Sequence, residues 1–266
     1  MKNSINQELI FWNKGVDSPI HNKTIIEEPL SILLQGKPCS VIMRTPGDEI
    51  PHAAGFCLSE GIVDTLDDFK ILPRYNHNNP NVVNVMLTKS RMDKISDTLD
   101  RKNYIKRTSC GMCGKELISE LYHKISPVQN DTKIEINLLT ECIDNLSKQQ
   151  RLRYETKASH ASAIYNKHYK LLSFAEDMGR HNALDKAIGK LFLDKKLSFA
   201  SFLILSSRIS YELVQKAAKA RLPIIISISR PTSLAIELAS KLDITLACLA
   251  PKSGFYIYTG EYRLKR

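Results

Sequence analysis

The second half of the chain alternates between short apolar runs and longer amphipathic stretches. The apolar runs have the length of strands and lie at residues 170–175, 202–205, 223–228, 244–249 and 255–259. The stretches between them predict helices at residues 138–149, 180–193, 211–220 and 233–242. Strands that alternate with helices of this length predict a sheet of parallel strands covered by helices.

The first half has a different pattern and predicts a smaller α+β unit. Strands are predicted at residues 24–27, 30–34, 39–44 and 82–87, and a helix from about residue 48 to 60. Gly61 suits the position just past the end of that helix. Short polar residues and Pro127 at residues 126–132 indicate a boundary. We therefore expect an N-terminal domain of residues 1–133 and a C-terminal domain of residues 134–266.

Composition and charge narrow the class of protein. Hydrophobic residues make up 43% and charged residues 25%, as in ordinary globular proteins. The formal net charge of +10 favours anionic partners. Nucleic acid is not expected, because no recognition motif for it is present. The apolar runs are too short for a membrane helix and no signal peptide is evident, so we expect a cytoplasmic protein without membrane association.

The clearest chemical motif is the Cys-x-x-Cys pair of Cys110 and Cys113. It lies in the segment RTSCGMCGKE at residues 107–116, where a glycine follows each cysteine, so we expect a flexible loop followed by a short helix at residues 117–125. Lys106, Arg107 and Lys115 surround the pair, and neighbouring cations favour the reactive thiolate. Without a secretion signal, the six cysteines are expected to be reduced.

Three other interpretations of the pair compete with sulfur chemistry. A structural zinc site needs four protein ligands, and a second cysteine pair is absent from the sequence. A thioredoxin-like dithiol should open a helix directly after a strand of a βαβ unit. An inert pair should be buried rather than placed in a glycine-rich loop. Each is weaker than sulfur chemistry, and none is excluded.

Polar residues gather where the predicted strands end. Glu176–Asn182 follows one strand, and residues 206–210, 229–233 and 250–254 follow the others. Ligands collect at the carboxyl ends of strands in such sheets, and serines, glycines and cations there suit an anionic ligand. Helix capping by Asp177 and an i, i+4 pair of His181 with Asp185 are the structural alternatives. A further histidine, His160, lies about one βα unit earlier.

Together these segments resemble the FdhD/NarQ family of formate dehydrogenase accessory sulfurtransferases. The resemblance runs from about residue 28 to residue 258. It is carried above all by TPGDEIPHAAGFCLSEGIV (residues 45–63), TSCGMCGKE (108–116) and EDMGRHNALDKAIG (176–189). It implies an α/β chain with a smaller N-terminal α+β domain and a C-terminal cytidine-deaminase-like α/β domain, joined through the flexible cysteine loop. It also implies a homodimer.

The implied activity is sulfur transfer. A cysteine desulfurase would supply persulfide sulfur, and the bis(molybdopterin guanine dinucleotide) form of the molybdenum cofactor would receive it as a bound substrate, for the catalytic subunit of formate dehydrogenase. By position, Cys110 would carry the persulfide and Cys113 would be its partner. The expected cofactor-binding residues are Leu249, Ala250, Pro251, Lys252, Ser253, Gly254, Arg180, His181, His160, Ser207 and Arg208.

Two observations qualify the resemblance. Lys157, Ala158 and Ser207 stand where the family usually has glycine, and glycine allows close backbone approach to a ligand. The zinc-deaminase signature is missing, since His160 is followed by Ala161 and Ser162 and no later cysteine pair exists, so the protein is expected to hold no metal of its own. A non-catalytic cofactor-binding chaperone and a zinc-binding module remain as alternative functions.

Overall fold

A computed structural model describes residues 2–73, 80–95 and 125–266. The predicted cysteine loop at 107–116, with Cys110 and Cys113, lies outside the described residues. So does the helix predicted at 117–125, apart from its last residue.

A β-hairpin opens the described chain. Its strands are β1 (Ser4–Asn13) and β2 (Val16–Ile25), which pair antiparallel along their whole length. Lys14 and Gly15 form the two-residue connection with φ of 49° and 84°, and positive φ at both positions matches the twist of a hairpin. The strand predicted at residues 24–27 overlaps only the last two residues of β2, so the hairpin itself was not predicted.

The first half continues as a four-stranded sheet with one helix. Its elements are β3 (Glu28–Leu34), β4 (Lys37–Arg44), α1 (Glu49–Ser59), β5 (Phe69–Pro73) and β6 (Val82–Leu87). The strand order is β4-β3-β6-β5, with β3 and β6 parallel and the outer pairs antiparallel. In β3, buried and half-buried side chains alternate, which is typical of a strand with one face on a core. The sequence predicted these elements except β5.

The second half is built on a six-stranded sheet. Its elements are β7 (Ile134–Glu135), α2 (Leu139–Gln149), α3 (Arg151–Thr156), β8 (His160–Tyr165), β9 (Leu171–Asp177), α4 (Arg180–Leu193), β10 (Phe202–Leu205), α5 (Tyr211–Lys219), β11 (Ile224–Ser227), α6 (Ser233–Lys241), β12 (Thr245–Leu249), β13 (Phe255–Thr259) and β14 (Leu264–Lys265). The order in the large sheet is β13-β12-β11-β10-β8-β9. An α/β chain is therefore confirmed.

The predicted parallel arrangement holds for the three central strands, β10, β11 and β12. Their side chains are almost all buried, as expected for parallel strands covered on both faces. β8 and β13 run in the opposite direction to the other four strands, which corrects the prediction. The reason is connection length, because β8–β9 and β12–β13 are joined by short turns, and a parallel pair needs a long crossover.

Contacts with the second half begin before the predicted boundary. The backbone N–H of Val128 donates to Leu242, and Arg263 donates to the carbonyl of Asn130. The division at residue 133 stays a prediction.

The two helices α1 and α4 join the halves of the chain at backbone contact. A Cβ atom on Gly55 would lie 1.9 Å from the carbonyl oxygen of Asp185. A Cβ atom on Gly189 would lie 1.8 Å from the carbonyl oxygen of Pro51. Because no side chain fits at either position, the glycines set the distance between the helices.

Buried charges surround this helix contact. Lys186 pairs with Asp177 at 2.7 Å and also donates to the carbonyl of Thr45. Lys216 donates to both oxygens of Asp185, at 2.9 and 2.8 Å. All four charged side chains are at most 8% exposed. Buried charges of this kind are tolerated because each has a charged partner, and Lys186, Asp177 and Asp185 also form further hydrogen bonds.

His52 of α1 is fully buried in the same region. Neither ring nitrogen has a hydrogen-bond partner among the described residues. Burial lowers the pKa of His52 well below its usual value, and Lys186, Lys216 and Arg44 lower it further. The Asn182 amide acts in the opposite direction without offsetting these effects. The imidazole is therefore neutral in the folded protein at neutral pH.

We expect His52 to make the protein acid-sensitive. Because folding lowers the pKa of His52, the folded protein keeps its full stability only above the pKa of about 6.5 that the residue has in the unfolded chain. Below that pH the free energy of unfolding should fall by up to about 1.4 kcal/mol per pH unit. Urea unfolding between pH 7.5 and 5 measures this slope. His52→Leu should be at least as stable at pH 7.5 and have a shallower slope.

The matched control is His168→Leu, because the His168 side chain is exposed on a turn and folding buries little of it. The acid-sensitivity prediction is wrong if His52→Leu and His168→Leu change the slope equally.

Candidate functional site

The structure brings the predicted binding residues to one edge of the six-stranded sheet. Strands β9, β10, β11 and β12 all end there, and β8 begins there with His160 opposite Asp177. The residues gathered at this edge, called the sheet-edge site below, are His160, Arg180, His181, Ser207, Arg208, Leu249, Ala250, Pro251, Lys252, Ser253 and Gly254. Their ligand-binding role stays a prediction.

His160 lies at the centre of a group of arginines. Burial lowers its pKa, and the charges of Arg153, Arg180 and Arg208 lower it further. The positive charges of these three arginines therefore favour the neutral form of the ring. Its Nδ1 atom and the Nε of Arg180 are buried without a hydrogen-bond partner among the described residues. Buried polar groups usually have partners, so these atoms suit contacts with a bound anion.

Arg153 is a site residue that the sequence analysis missed. It belongs to α3, a helix of six residues, and its guanidinium donates to the carbonyl of Ser159 at 3.0 Å. Glu176 fixes this arrangement, since its carboxylate accepts from the backbone N–H groups of Leu152 and Arg153 and from the Ser159 hydroxyl. Such a carboxylate at the first turn satisfies free donors and favours the helix. Glu176 thus places Arg153 beside His160.

His181 marks the start of α4 on the other side of the site. Its Nε2 lies 3.3 Å from the Ser210 hydroxyl and 3.8 Å from the Glu212 carboxylate. Burial lowers its pKa, as do Arg180 and Lys216, and Glu212 opposes them. The expected i, i+4 contact of His181 with Asp185 is absent from the described interactions, because Asp185 binds Ser59 and Lys216 instead. Ser210 and Glu212 were not predicted as site residues.

The loops after β10 and β11 are joined to each other. The backbone N–H of Ile209 donates to Arg230, and that of Thr232 donates to Ile209. Below them, the hydroxyl of Ser227 donates to the carbonyl of Ser207. These bonds hold the backbone at residues 207–209 in place, while the side chain of Arg208 is exposed. The structure therefore offers a fixed loop that presents a cation to solvent.

The loop after β12 completes the edge. The Ala250 N–H donates to the Gly254 carbonyl at 2.7 Å, which closes the turn, and Lys252 has a positive φ of 59°. Arg230 of the neighbouring loop lies over the Tyr256 ring, 4.9 Å from its centre. Lys252 and Arg230 therefore add two cations to the same edge.

One departure from the family pattern has a structural explanation. Lys157 has a φ of 58°, in the left-handed region that favours glycine, and it follows the last residue of α3. Glycine is common at such helix ends, where the chain must reverse its twist. The position thus demands a helix-terminating conformation, which lysine adopts here at some cost in strain.

Within residues 2–73, 80–95 and 125–266, no group of three or more His, Cys, Asp or Glu side chains is placed to hold a metal ion. In the same ranges, none of the helices has both the length and the apolar character needed to cross a membrane.

Comparison with known proteins identifies the family. Residues 25–265 match the model of the FdhD/NarQ family. The protein named sulfur carrier protein FdhD in Streptomyces avermitilis is 34% identical over 268 residues, which cover 97% of this chain and 94% of the relative. The protein of the same name in Saccharolobus solfataricus is 33% identical, over 90% of each chain. The chain therefore belongs to the FdhD/NarQ family.

A solved structure shows the same fold. A chain from Desulfotalea psychrophila, assigned as a formate dehydrogenase accessory protein, superimposes with a TM-score of 0.79. The match covers 99% of this chain and 100% of the other at 22% identity. The α/β architecture described above is thus that of a known protein.

Proposed function

We propose that this protein carries sulfur as a persulfide on Cys110 and delivers it to the bis(molybdopterin guanine dinucleotide) cofactor for formate dehydrogenase. Family membership and the names of the relatives support sulfur carriage and the link with formate dehydrogenase. The observation that carries the cofactor part is a pair of buried atoms without a partner among the described residues, Nδ1 of His160 and Nε of Arg180, at the sheet edge. The cofactor is the substrate here, not a resident group.

The chemistry of the sheet-edge site fits such a substrate. A guanine-dinucleotide cofactor carries pyrophosphate groups, which bind best to fixed guanidinium groups and backbone N–H groups. Arg180 has a buried Nε without a partner, and Arg208 and Lys252 reach solvent at the same edge. We assign the binding of the phosphates to these cations, with His160 as a neutral donor or acceptor between them.

The loading step is a thiol–persulfide exchange. The Cys110 thiolate attacks the terminal sulfur of the desulfurase persulfide, a new S–S bond forms on Cys110, and the desulfurase leaves as its thiolate. The sulfur atom moves with no net oxidation or reduction, so no further reactant is needed. Neighbouring Lys106, Arg107 and Lys115 favour the attacking thiolate.

Two routes remain for release. On one route the electron pair of the S–S bond stays with Cys110, which leaves as a thiolate, and the cofactor takes up the sulfur atom and supplies the two electrons that reduce it; Cys113 assists this transfer. Alternatively, Cys113 attacks the inner sulfur of the persulfide, which closes a disulfide with Cys110 and expels sulfide.

The proposal also takes from the resemblance a cytoplasmic location, a homodimer and a deaminase-like C-terminal domain.

Cys110→Ala should abolish persulfide loading. The protein is incubated with an active cysteine desulfurase and cysteine, and its intact mass is measured without reductant. We expect the wild type to gain about 32 Da, the mass of one sulfur atom, and Cys110→Ala to gain none. Cells that depend on this variant should lack formate dehydrogenase activity.

The matched control is Cys39→Ala, which removes a half-buried thiol outside the proposed loop and should keep the mass gain. No gain on the wild type would contradict the carrier and favour a binding-only chaperone. The zinc-module alternative predicts a full equivalent of zinc in the purified protein, and less than about a tenth would exclude a tight structural site.

A further inference from the structure

A second charged surface lies away from the sheet edge, between the N-terminal hairpin and two helices. Strand β2 contacts α3, and a cleft of about 840 Å³ opens between β2 and the α2–α3 segment. We call it the hairpin cleft. It is lined by Lys23, Ser147, Lys148, Gln150, Arg151, Tyr154, Glu155 and Lys157.

The hairpin cleft is strongly positive. Its lining has four cations and one carboxylate, and that carboxylate is already in use. Glu155 accepts from Lys23 at 2.9 Å and from Ser4 at 3.2 Å, and these bonds lower its pKa and fasten the hairpin to α3. Lys148, Arg151 and Lys157 form no ion pair with any described residue. Three cations therefore remain for a molecule from outside.

An aromatic side chain lies among these cations. Tyr154 is 80% exposed, and the Lys157 ammonium lies 5.2 Å from the centre of its ring. Tyrosine and arginine are enriched in protein interfaces, because they offer contact area together with a polar group. An exposed tyrosine beside unpaired cations is typical of a surface that binds a partner protein.

The charges restrict the occupant. A second copy of this chain is basic as a whole, with a net charge of +10, so it brings no net negative charge to pair with the cations of the cleft. The chain's own segment at residues 96–124 has six Lys or Arg and four Asp or Glu, so it is basic as well. A small ligand is normally enclosed on most of its surface, but Lys148, Arg151 and Tyr154 are all exposed. An acidic segment of another protein fits best.

We propose that the hairpin cleft docks an acidic segment of a partner protein. The family match begins at residue 25, so one wall of the cleft, residues 4–25, lies almost wholly before the matched region, and the other wall lies inside it. This proposal does not depend on the sulfur chemistry.

The test is a binding assay with a defined acidic probe. Full-length protein is titrated against a short fluorescein-labelled glutamate-rich peptide, and fluorescence anisotropy gives the Kd. The cleft variant carries Lys148→Glu, Arg151→Glu and Lys157→Glu. The control variant carries Lys37→Glu, Lys167→Glu and Lys170→Glu, which are exposed, lie outside the cleft and change the net charge equally.

We expect the cleft variant to bind the peptide at least about tenfold more weakly than the control variant. The affinity of the wild-type protein for the peptide should fall as the salt concentration rises. Circular dichroism and thermal melting check the fold. If the triple variant is unfolded, Lys148→Gln with Arg151→Gln replaces it, with an expected loss of about threefold.

Three results would overturn the proposal. Equal weakening in both variants would show that only net charge matters. Selective loss of binding to a labelled single-stranded oligonucleotide would indicate nucleic acid. If the cleft variant alone loses binding to a guanine nucleotide and still binds the peptide as the control variant does, the cleft holds a small ligand. Because no sulfur is transferred in this assay, its failure is distinguishable from a failure of Cys110 loading.

Discussion

Gly55→Ala is expected to destabilise the protein by about 3 kcal/mol or more, or to prevent folding. Alanine normally stabilises a helix relative to glycine by about 1 kcal/mol, which would predict the opposite sign. Here a methyl group at residue 55 would lie 1.9 Å from the Asp185 carbonyl oxygen and 2.7 Å from its carbon. The obstacle is the backbone of α4, which cannot rotate away as a side chain can. The helices must therefore separate, and overpacking of this kind exceeds the usual range of about 1–3 kcal/mol.

Thermal melting measures this effect. A loss of 3 kcal/mol corresponds to a fall in Tm of about 6 °C or more in a chain of this size. The matched control is Gly254→Ala, because a Cβ atom there would make an ordinary contact of 3.5 Å and the backbone is extended. An unchanged or higher Tm for Gly55→Ala would mean that α1 and α4 are not in backbone contact.

The central sheet could be predicted because its strands are apolar on both faces. β10, β11 and β12 are short runs of buried residues between amphipathic helices, and that pattern has few other solutions. The convergence of the loops at one edge then follows from the parallel directions of these strands. Most of the sheet-edge site was therefore predictable without coordinates.

The hairpin was missed for a physical reason. β1 has four consecutive apolar residues at 9–12, of which Ile10 and Trp12 are exposed, so it lacks the alternation that marks a half-buried strand. β8 was missed because two alanines and a serine at residues 161–163 give it only a weak apolar signal. Arg153 and Glu212 join the site through tertiary packing of short helix segments, which no local pattern records.

The contact of α1 with α4 was also beyond local patterns. Gly55 and Gly189 lie inside helices, where sequence reasoning treats glycine as a mild defect. Only the fold shows that each faces the other helix's backbone. The charged residues near them lie in the predicted helices 180–193 and 211–220, where no local pattern marks them as interior, yet Lys186, Asp185 and Lys216 are nearly fully buried.

Lys216→Met should cost about 3–5 kcal/mol, because it leaves a buried carboxylate without its cation. Lys216 donates to both oxygens of Asp185, and the hydroxyl of Ser59 is the other donor, at 2.8 Å. Burial raises the pKa of Asp185, while Lys216 and Ser59 hold it down. Methionine fills a similar volume, so the loss reports on charge rather than on a cavity.

The pH dependence separates this cause from simple mispacking. Without Lys216 the pKa of Asp185 in the folded protein rises further above its value in the unfolded chain. The folded variant then favours the protonated carboxyl, so its free energy of unfolding falls as pH rises through the folded-state pKa. The variant should therefore lose more stability at pH 8 than at pH 5. Urea unfolding at the two pH values measures the difference.

The matched control is Lys196→Met, which breaks an exposed pair with Asp194 at 3.1 Å and should cost at most about 1 kcal/mol. A loss for Lys216→Met that is equal at both pH values would show that its contribution is packing, and that Asp185 is not an unpaired charge in the variant.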